Sequence, residues 1–251
     1  MTRRPAALVA PAGIAVAFLA LPLVGVVVRA PWRQVPHLVT TSVALQALRL
    51  SIVCSLGALA LAVVTGVPLA WLLARHDFPG KSLVRALVIA PLVLPPVVGG
   101  VALLLAFGRR GVVPLHLAFT TWGAIAAEGF VSMPFLVLAV EGALGSLDRR
   151  YEDVAATLGS GQLRTFLRVT VPLVAPGLAA GAALAWARAL GEFGATITFA
   201  GNLPGRTQTL PLAVYLQLQE NPDSAVALSL VLLVLSLSVL VALRGRWRLA
   251  R

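Results

Sequence analysis

The feature that most limits what this chain can fold into is a succession of apolar runs, each long enough to cross a bilayer as a helix. About 20 apolar residues at 1.5 Å per residue span the roughly 30 Å hydrocarbon layer. Such runs lie at roughly 6–28, 46–74, 83–107, 120–144, 173–200 and 225–243. With no water in the hydrocarbon, each run must satisfy its own backbone polar groups, which a helix does. Hydrophobic residues make up 59% of the chain, only 12% are charged, and the mean hydropathy is +0.94, which excludes an ordinary soluble domain. The expected fold is therefore an all-α membrane protein with about six transmembrane helices. It forms a single transmembrane domain over 1–251, with a first span at 6–28 and a core bundle at 46–243.

A net charge of +11 would suit nucleic acid, but the basic residues gather at the ends of the apolar runs and form no stripe. They read as topology signals, with no nucleic acid partner. With both termini cytoplasmic, Arg3, Arg4, Arg75, Lys81, Arg85, Arg149, Arg150, Arg164, Arg168, Arg244, Arg246, Arg248 and Arg251 fall inside. Arg29, Arg33, Arg49, Arg109, Arg110 and Arg206 fall outside, a bias that obeys the positive-inside rule. The first run exceeds a signal-peptide core of about 7–15 residues, so it reads as an uncleaved span, with Trp32 at its interface. Cys54 is a lone cysteine in an apolar run, and His37, His76 and His116 are isolated, so no metal site and no bound cofactor is expected. Gly80-Lys81-Ser82 echoes the end of a phosphate-binding loop, but Arg75 stands where its first glycine belongs. ATP chemistry would have to come from a partner.

One polar island interrupts the oil, at residues 147–172. Asp148 can cap a short helix whose first turn carries Glu152 and Asp153, the sign favoured near a helix N-terminus. Tyr151, Val154, Ala155 and Leu158 share a face at helical spacing. Gly159 and Gly161 end that helix. A second short helix is expected with Leu163, Phe166 and Leu167 inward and Arg164 and Arg168 outward, and Pro172 opens the next span. Physics alone leaves two readings of the island, a solvated loop that sets orientation or a docking element.

Aligned on Gly159, the stretch resembles the cytoplasmic "EAA" loop of ABC importer permeases: Asp153, Val154 and Ala155 replace Glu-Ala-Ala, and Val169, Val171 and Pro172 fall at the Ile-x-Leu-Pro positions. The departures are conservative and the spacing is intact. The resemblance implies a type I-like importer permease in which this loop forms the coupling helices seated on an ATPase subunit. Glu152, Asp153, Ala155, Ala156, Gly159 and Pro172 are then the expected coupling residues, with the turn at 155–159 as the contact.

Two spans carry features that need a protein environment. The third contains Pro91, Pro95, Pro96, Gly99 and Gly100, and Pro95 and Pro96 read as a packing kink or a moving gate. In the fourth, Glu128 lies deep, where a charge costs about 2.5–3.5 kcal/mol, so it should face protein or water, with a hydrogen-bonded anchor favoured over a pathway role. In the fifth, Arg188, Glu192 and Thr196 recur at four-residue intervals and would share one helix face. That face either lines a translocation pathway or holds an internal ion pair. Pairing with Glu192 would moderate the grip of Arg188 on an anion, which suits passage.

The segments Ala189-Leu190-Gly191-Glu192-Phe193-Gly194-Ala195-Thr196 and Pro204-Gly205-Arg206-Thr207-Gln208-Thr209-Leu210-Pro211 resemble the molybdate/tungstate permeases, with sulfate permeases as near relatives. This implies a homodimeric, multi-pass cell-membrane permease for a tetrahedral oxyanion. Its implied partners are two copies of an ABC ATPase, which uses ATP and Mg, and an extracytoplasmic oxyanion-binding protein. The chain itself would not be an enzyme. A sulfate/thiosulfate permease is the neighbouring alternative, and an ion-coupled carrier or an intramembrane enzyme using Glu128, Glu141, Arg188 and Glu192 the more distant ones.

Overall fold

The computed structural model describes residues 6–113 and 115–247. The expectations for Arg3, Arg4, Arg248 and Arg251 lie outside the described residues, as do the side chains of Arg244 and Arg246. The described chain is helical, with no strand. The helices are α1 (Ala6–Arg29), α2 (Val35–Val39), α3 (Ser42–Arg75), α4 (Lys81–Val93), α5 (Pro96–Phe107) and α6 (Thr121–Ser146), then α7 (Arg150–Thr157), α8 (Gln162–Thr165), α9 (Val171–Leu190), α10 (Gly194–Phe199), α11 (Leu210–Glu220) and α12 (Pro222–Trp247). A π-turn, Phe166–Thr170, joins α8 to α9.

Four stretches are long and apolar enough to cross a membrane: Val9–Arg29, Ser42–Arg75, Thr121–Ser146 and Gln162–Leu190. Pro96–Phe107 and Pro222–Ser238 are shorter apolar helices. Helix α3, at 34 residues, runs about 50 Å and so projects beyond a 30 Å hydrocarbon layer.

The bundle is built on α6, which packs along α3 on one side and α9 on the other. The buried positions of α3 include Ser51, Cys54, Ser55, Ala58, Ala62, Gly66 and Ala70, a stripe of small residues at three- and four-residue intervals. Larger residues of α6, Leu136, Val137, Val140 and Leu144, fill the space it leaves. Contact with α9 is closer still. A Cβ placed on Gly177 would sit 2.5 Å from the Ala143 Cβ, and one on Gly181 would sit 2.7 Å from the Ala139 Cβ. Tertiary polar bonds pin the same helices: the Trp186 indole N–H of α9 donates to Ser55 Oγ of α3 at 2.9 Å, and Arg85 of α4 pairs with Glu141 of α6. Helix α1 stands apart, touching α12 and burying none of its apolar window.

Two expected spans are divided. The run at 83–107 is two helices, because Pro96 readily begins a helix and a residue before proline is pushed to extended geometry. Leu94 (ψ 135°) and Pro95 (ψ 134°) are both extended. The run at 173–200 ends its first helix at Leu190. Consequently Arg188, Glu192 and Thr196 do not share one continuous helix face, contrary to the sequence expectation. After α10 the chain turns back against the bundle: Thr207, Gln208 and Thr209 are buried, and the Leu210 N–H donates to Ser51 Oγ at 2.7 Å.

Replacing Gly181 with leucine should force α9 away from α6. We expect a loss of about 1–3 kcal/mol, the usual cost of overpacking, seen as a lower thermal midpoint in detergent. An unchanged midpoint would show that the α6–α9 seam is looser than its geometry indicates.

Candidate functional site: helix α7 and the α9–α10 break

The polar island folds at the end of the bundle where α3 finishes and α9 begins. Its first turn is set by Asp148, whose Oδ1 accepts the Arg150 N–H at 3.0 Å. Its end is set by Gly159, at φ 79°, a left-handed conformation that glycine tolerates. The Ser160 N–H then reaches the Ala155 carbonyl at 3.0 Å and the Gly159 N–H reaches Ala156 at 2.9 Å, the paired bonds of a Schellman cap.

Helix α7 buries none of its residues. Tyr151, Val154 and Leu158 are exposed on one side, with Ala155 half-buried beside them, while Asp153, Ala156 and Gly159 are exposed. Glu152 faces the opposite way. Its Oε2 lies 3.0 Å from Arg75 Nε at the end of α3, and its Oε1 accepts the Thr170 hydroxyl at 2.7 Å. Arg149 donates to the Ala74 and Arg75 carbonyls at 3.4 Å, placing a cation on the last turn of α3, where the helix dipole favours one. The second helix differs from expectation. Only Gln162–Thr165 is a separate α-turn before the π-turn runs into α9, and Leu163 and Leu167 are exposed at 72% and 56% rather than inward. Thr165 and Thr170 take the buried positions, because the π-turn changes which residues of this segment face the bundle. Phe166 is half-buried, edge-on to Trp71, and Arg164 and Arg168 are exposed as expected. Pro172 follows the π-turn and is itself exposed. Outside the spans, Lys81 pairs with Asp77 at 2.8 Å and holds its carboxyl below the usual carboxylate range.

The second constellation forms at the α9–α10 break. Gly191 ends α9, and Glu192 ties the two sides of the break together: its Oε1 accepts the Ala195 N–H at 2.8 Å while its Oε2 pairs with Arg188 Nη2 at 2.6 Å. Glu192 is buried, whereas the Arg188 side chain keeps 30% of its surface exposed. Thr196 is buried, and its hydroxyl has no hydrogen-bond partner among the described residues. Pro96 lies against this break, 2.8 Å from where a Gly194 Cβ would sit. A Cβ on Gly100, one turn on, would sit a similar 2.8 Å from the Ala195 carbonyl oxygen. Pro96 of α5 therefore packs on the start of α10, beside the break that Glu192 bridges. Glu128 is buried within protein, as its depth demanded, but its Oε2 makes no hydrogen bond among the described residues, so the anchor expectation is not met. The exposed Leu163 and Leu167 and the inward turn of Glu152 were not foreseen from the sequence. Helical periodicity points the leucines inward, and the π-turn overrides it.

Residues 66–247 match the family described as binding-protein-dependent transport system inner membrane component. The chain belongs to this family. It is accordingly a multi-pass inner-membrane permease component. It is 47% identical over 226 residues to the molybdenum transport system permease protein ModB of Mycobacterium tuberculosis, covering 87% of this chain and 86% of that one. With ModB of Escherichia coli (strain K12) it shares 45% identity, covering 69% and 80%. The sulfate transport system permease protein CysT of Salmonella typhimurium is 36% identical, with 75% and 71% covered. In fold, it resembles a chain of a bacterial ABC transporter that imports alginate (TM-score 0.73, 17% identity, 98% and 95% covered). It also resembles a chain of the inward-facing MetNI methionine ABC transporter (TM-score 0.61, 18% identity, 92% and 98% covered).

Glu192→Ala removes both the counter-charge of Arg188 and the acceptor for the Ala195 N–H, and should cost about 3–5 kcal/mol in thermal unfolding, the range for breaking a buried pair. Glu192→Gln, which keeps an acceptor oxygen, should cost clearly less. Equal losses would mean that the charge pair alone holds the break.

Proposed function

We propose that this chain is the permease of an ATP-driven importer of molybdate, with tungstate as an equivalent substrate. The observation that carries the reading is the 42–47% identity to molybdenum permeases of three genera, against 36% to the sulfate permease. Molybdate, tungstate and sulfate share shape and charge, so sulfate or thiosulfate is the second reading.

Two copies of the chain would enclose the pathway, both termini in the cytoplasm. An extracytoplasmic binding protein would deliver the anion to the outer face. ATP and Mg would be used by two ATPase subunits docked on the cytoplasmic side, and the chain itself would carry no cofactor and no catalytic group. The docking surface would be the outer side of α7 and its cap: Asp153, Ala155, Ala156 and Gly159, with the exposed apolar side chains of Tyr151, Val154 and Leu158. Closure of the ATPase dimer would push this surface and exchange two packings of the spans, with the break at Pro95 and Pro96 as a point of give. Arg188, partly exposed and restrained by Glu192, would meet the anion in passage with Thr196 nearby in sequence. Pairing lowers its pull enough to allow release.

ATP hydrolysis in liposomes containing the chain, its ATPase and its binding protein tests this reading. Stimulation should require all three proteins and should follow molybdate and tungstate in preference to sulfate. A preference for sulfate would transfer the assignment to the second reading, and no stimulation with an active ATPase would remove it. A bulky side chain tests the docking surface. Ala155→Trp should prevent close approach and abolish co-purification of the ATPase, whereas normal co-purification and transport would place docking elsewhere.

A further inference from the structure

Helix α7 has eight residues and buries none of them, too short to be stable alone and too exposed to be held by apolar packing. A cavity of about 250 Å³ lies beneath it, lined by Trp71, Arg75, Glu152, Thr165 and Thr170 among others. What joins α7 to the spans across this space is polar. The Glu152 carboxylate uses one oxygen for Arg75 of α3 and the other for Thr170 at the start of α9, at 3.0 Å and 2.7 Å. Both partners are withdrawn from solvent, the Arg75 side chain at 7% exposure and Thr170 at 1%. The contacts of Arg149 with the end of α3 are longer, at 3.4 Å, and neutral on the acceptor side.

Thr170 also closes the π-turn, in which the Val171 N–H reaches back five residues to the Phe166 carbonyl. Pro172 comes next, with no N–H for the Arg168 carbonyl. Proline alone does not produce the widening, because Pro68, Pro134 and Pro176 sit inside α3, α6 and α9 without one. What is particular to this site is the bond from Thr170 to Glu152. A π-turn is a rare and adjustable piece of helix. Here its last residue is tethered to the element that an ATPase would move.

We propose that Glu152 is a positioning residue for coupling: it is the tie through which displacement of α7 reaches α3 and α9 together, and it is not a contact with the ATPase. This rests on the reading of α7 as the docking helix. Asp153, its neighbour, also borders the cavity but is exposed and has no ion pair or side-chain hydrogen bond among the described residues. When α7 shifts, the carboxylate draws the end of α3 through the ion pair and turns the π-turn through the Thr170 hydroxyl. Among the described residues no other side chain of α7 bonds to Arg75 or Thr170.

The test uses the full reconstituted complex with Glu152→Gln, Thr170→Val, the double variant and Thr170→Ser. The readouts are retention of the ATPase on purification, and the ratio of oxyanion-stimulated to unstimulated hydrolysis. The expected result is that Glu152→Gln and Thr170→Val retain the ATPase but lose stimulation, that the double variant is no worse than the more severe single one, and that Thr170→Ser, which keeps the hydroxyl, behaves as the parent. Additive losses, an undiminished ratio, or failure of Thr170→Ser would overturn the tie. Loss of the ATPase from Glu152→Gln would make Glu152 a docking contact and overturn it too. A parent complex that shows no stimulation would instead count against the importer reading itself.

Discussion

In hydrocarbon, helices gain little from burying leucine against leucine, because the lipid is as apolar as the side chain. Association must come from close approach, and here that means the seams that α6 makes with α3 and α9. Alanine, serine and glycine on α3 and glycine on α9 bring backbones near enough for dispersion and a few polar bonds to act. The Trp186–Ser55 bond shows the consequence: α9 and α3 come near enough for two side chains to bond. The positions of the broken helices, the island and the buried charges all depend on this three-helix frame.

Irregular backbone in a membrane protein survives only where protein or water surrounds it. Both divided spans obey that limit in the same place. The extended pair Leu94–Pro95 precedes α5, the turn at Gly191 precedes α10, and α5 and α10 pack on one another through Pro96, Gly100 and Gly194. The donors freed at the start of α10 would be costly in lipid. Glu192 satisfies one of them and at the same time neutralises Arg188, so one carboxylate removes two penalties. That double use explains why a glutamate can sit at 1% exposure inside the bundle.

Much of this was legible in the sequence, because hydrophobic runs, proline and glycine act locally. The spans, the α7 cap at Gly159 and the interruption at Pro95-Pro96 are consequences of residue types at fixed positions. The break within 173–200 was not legible. Arg188, Glu192 and Thr196 fit a four-residue period as well as any helix face, and the tertiary contact of α5 with Gly194 favours ending the helix between Arg188 and Glu192. Leu163 and Leu167 misled for a related reason. A period of 3.6 places them inward, but the π-turn changes the register and gives Thr165 and Thr170 the buried sites. Glu152 and Asp153 are adjacent and alike in charge, so nothing local could say that the first bonds to the bundle and the second does not.

The spacing of the island also acquires a physical meaning. Five residues separate Asp153 from Gly159, a step of less than two helical turns, so the glycine closes α7 while the first-turn acids still lie near the other end. Twelve separate Gly159 from Pro172, which is enough for one α-turn, the π-turn and the entry into α9. Lengthening either interval by one residue would rotate the next face by about 100° and would carry Thr170 away from Glu152. The intervals thus fix an angle between a short surface helix and a long buried one. A push on the first can become a defined turn of the second only while that angle is kept.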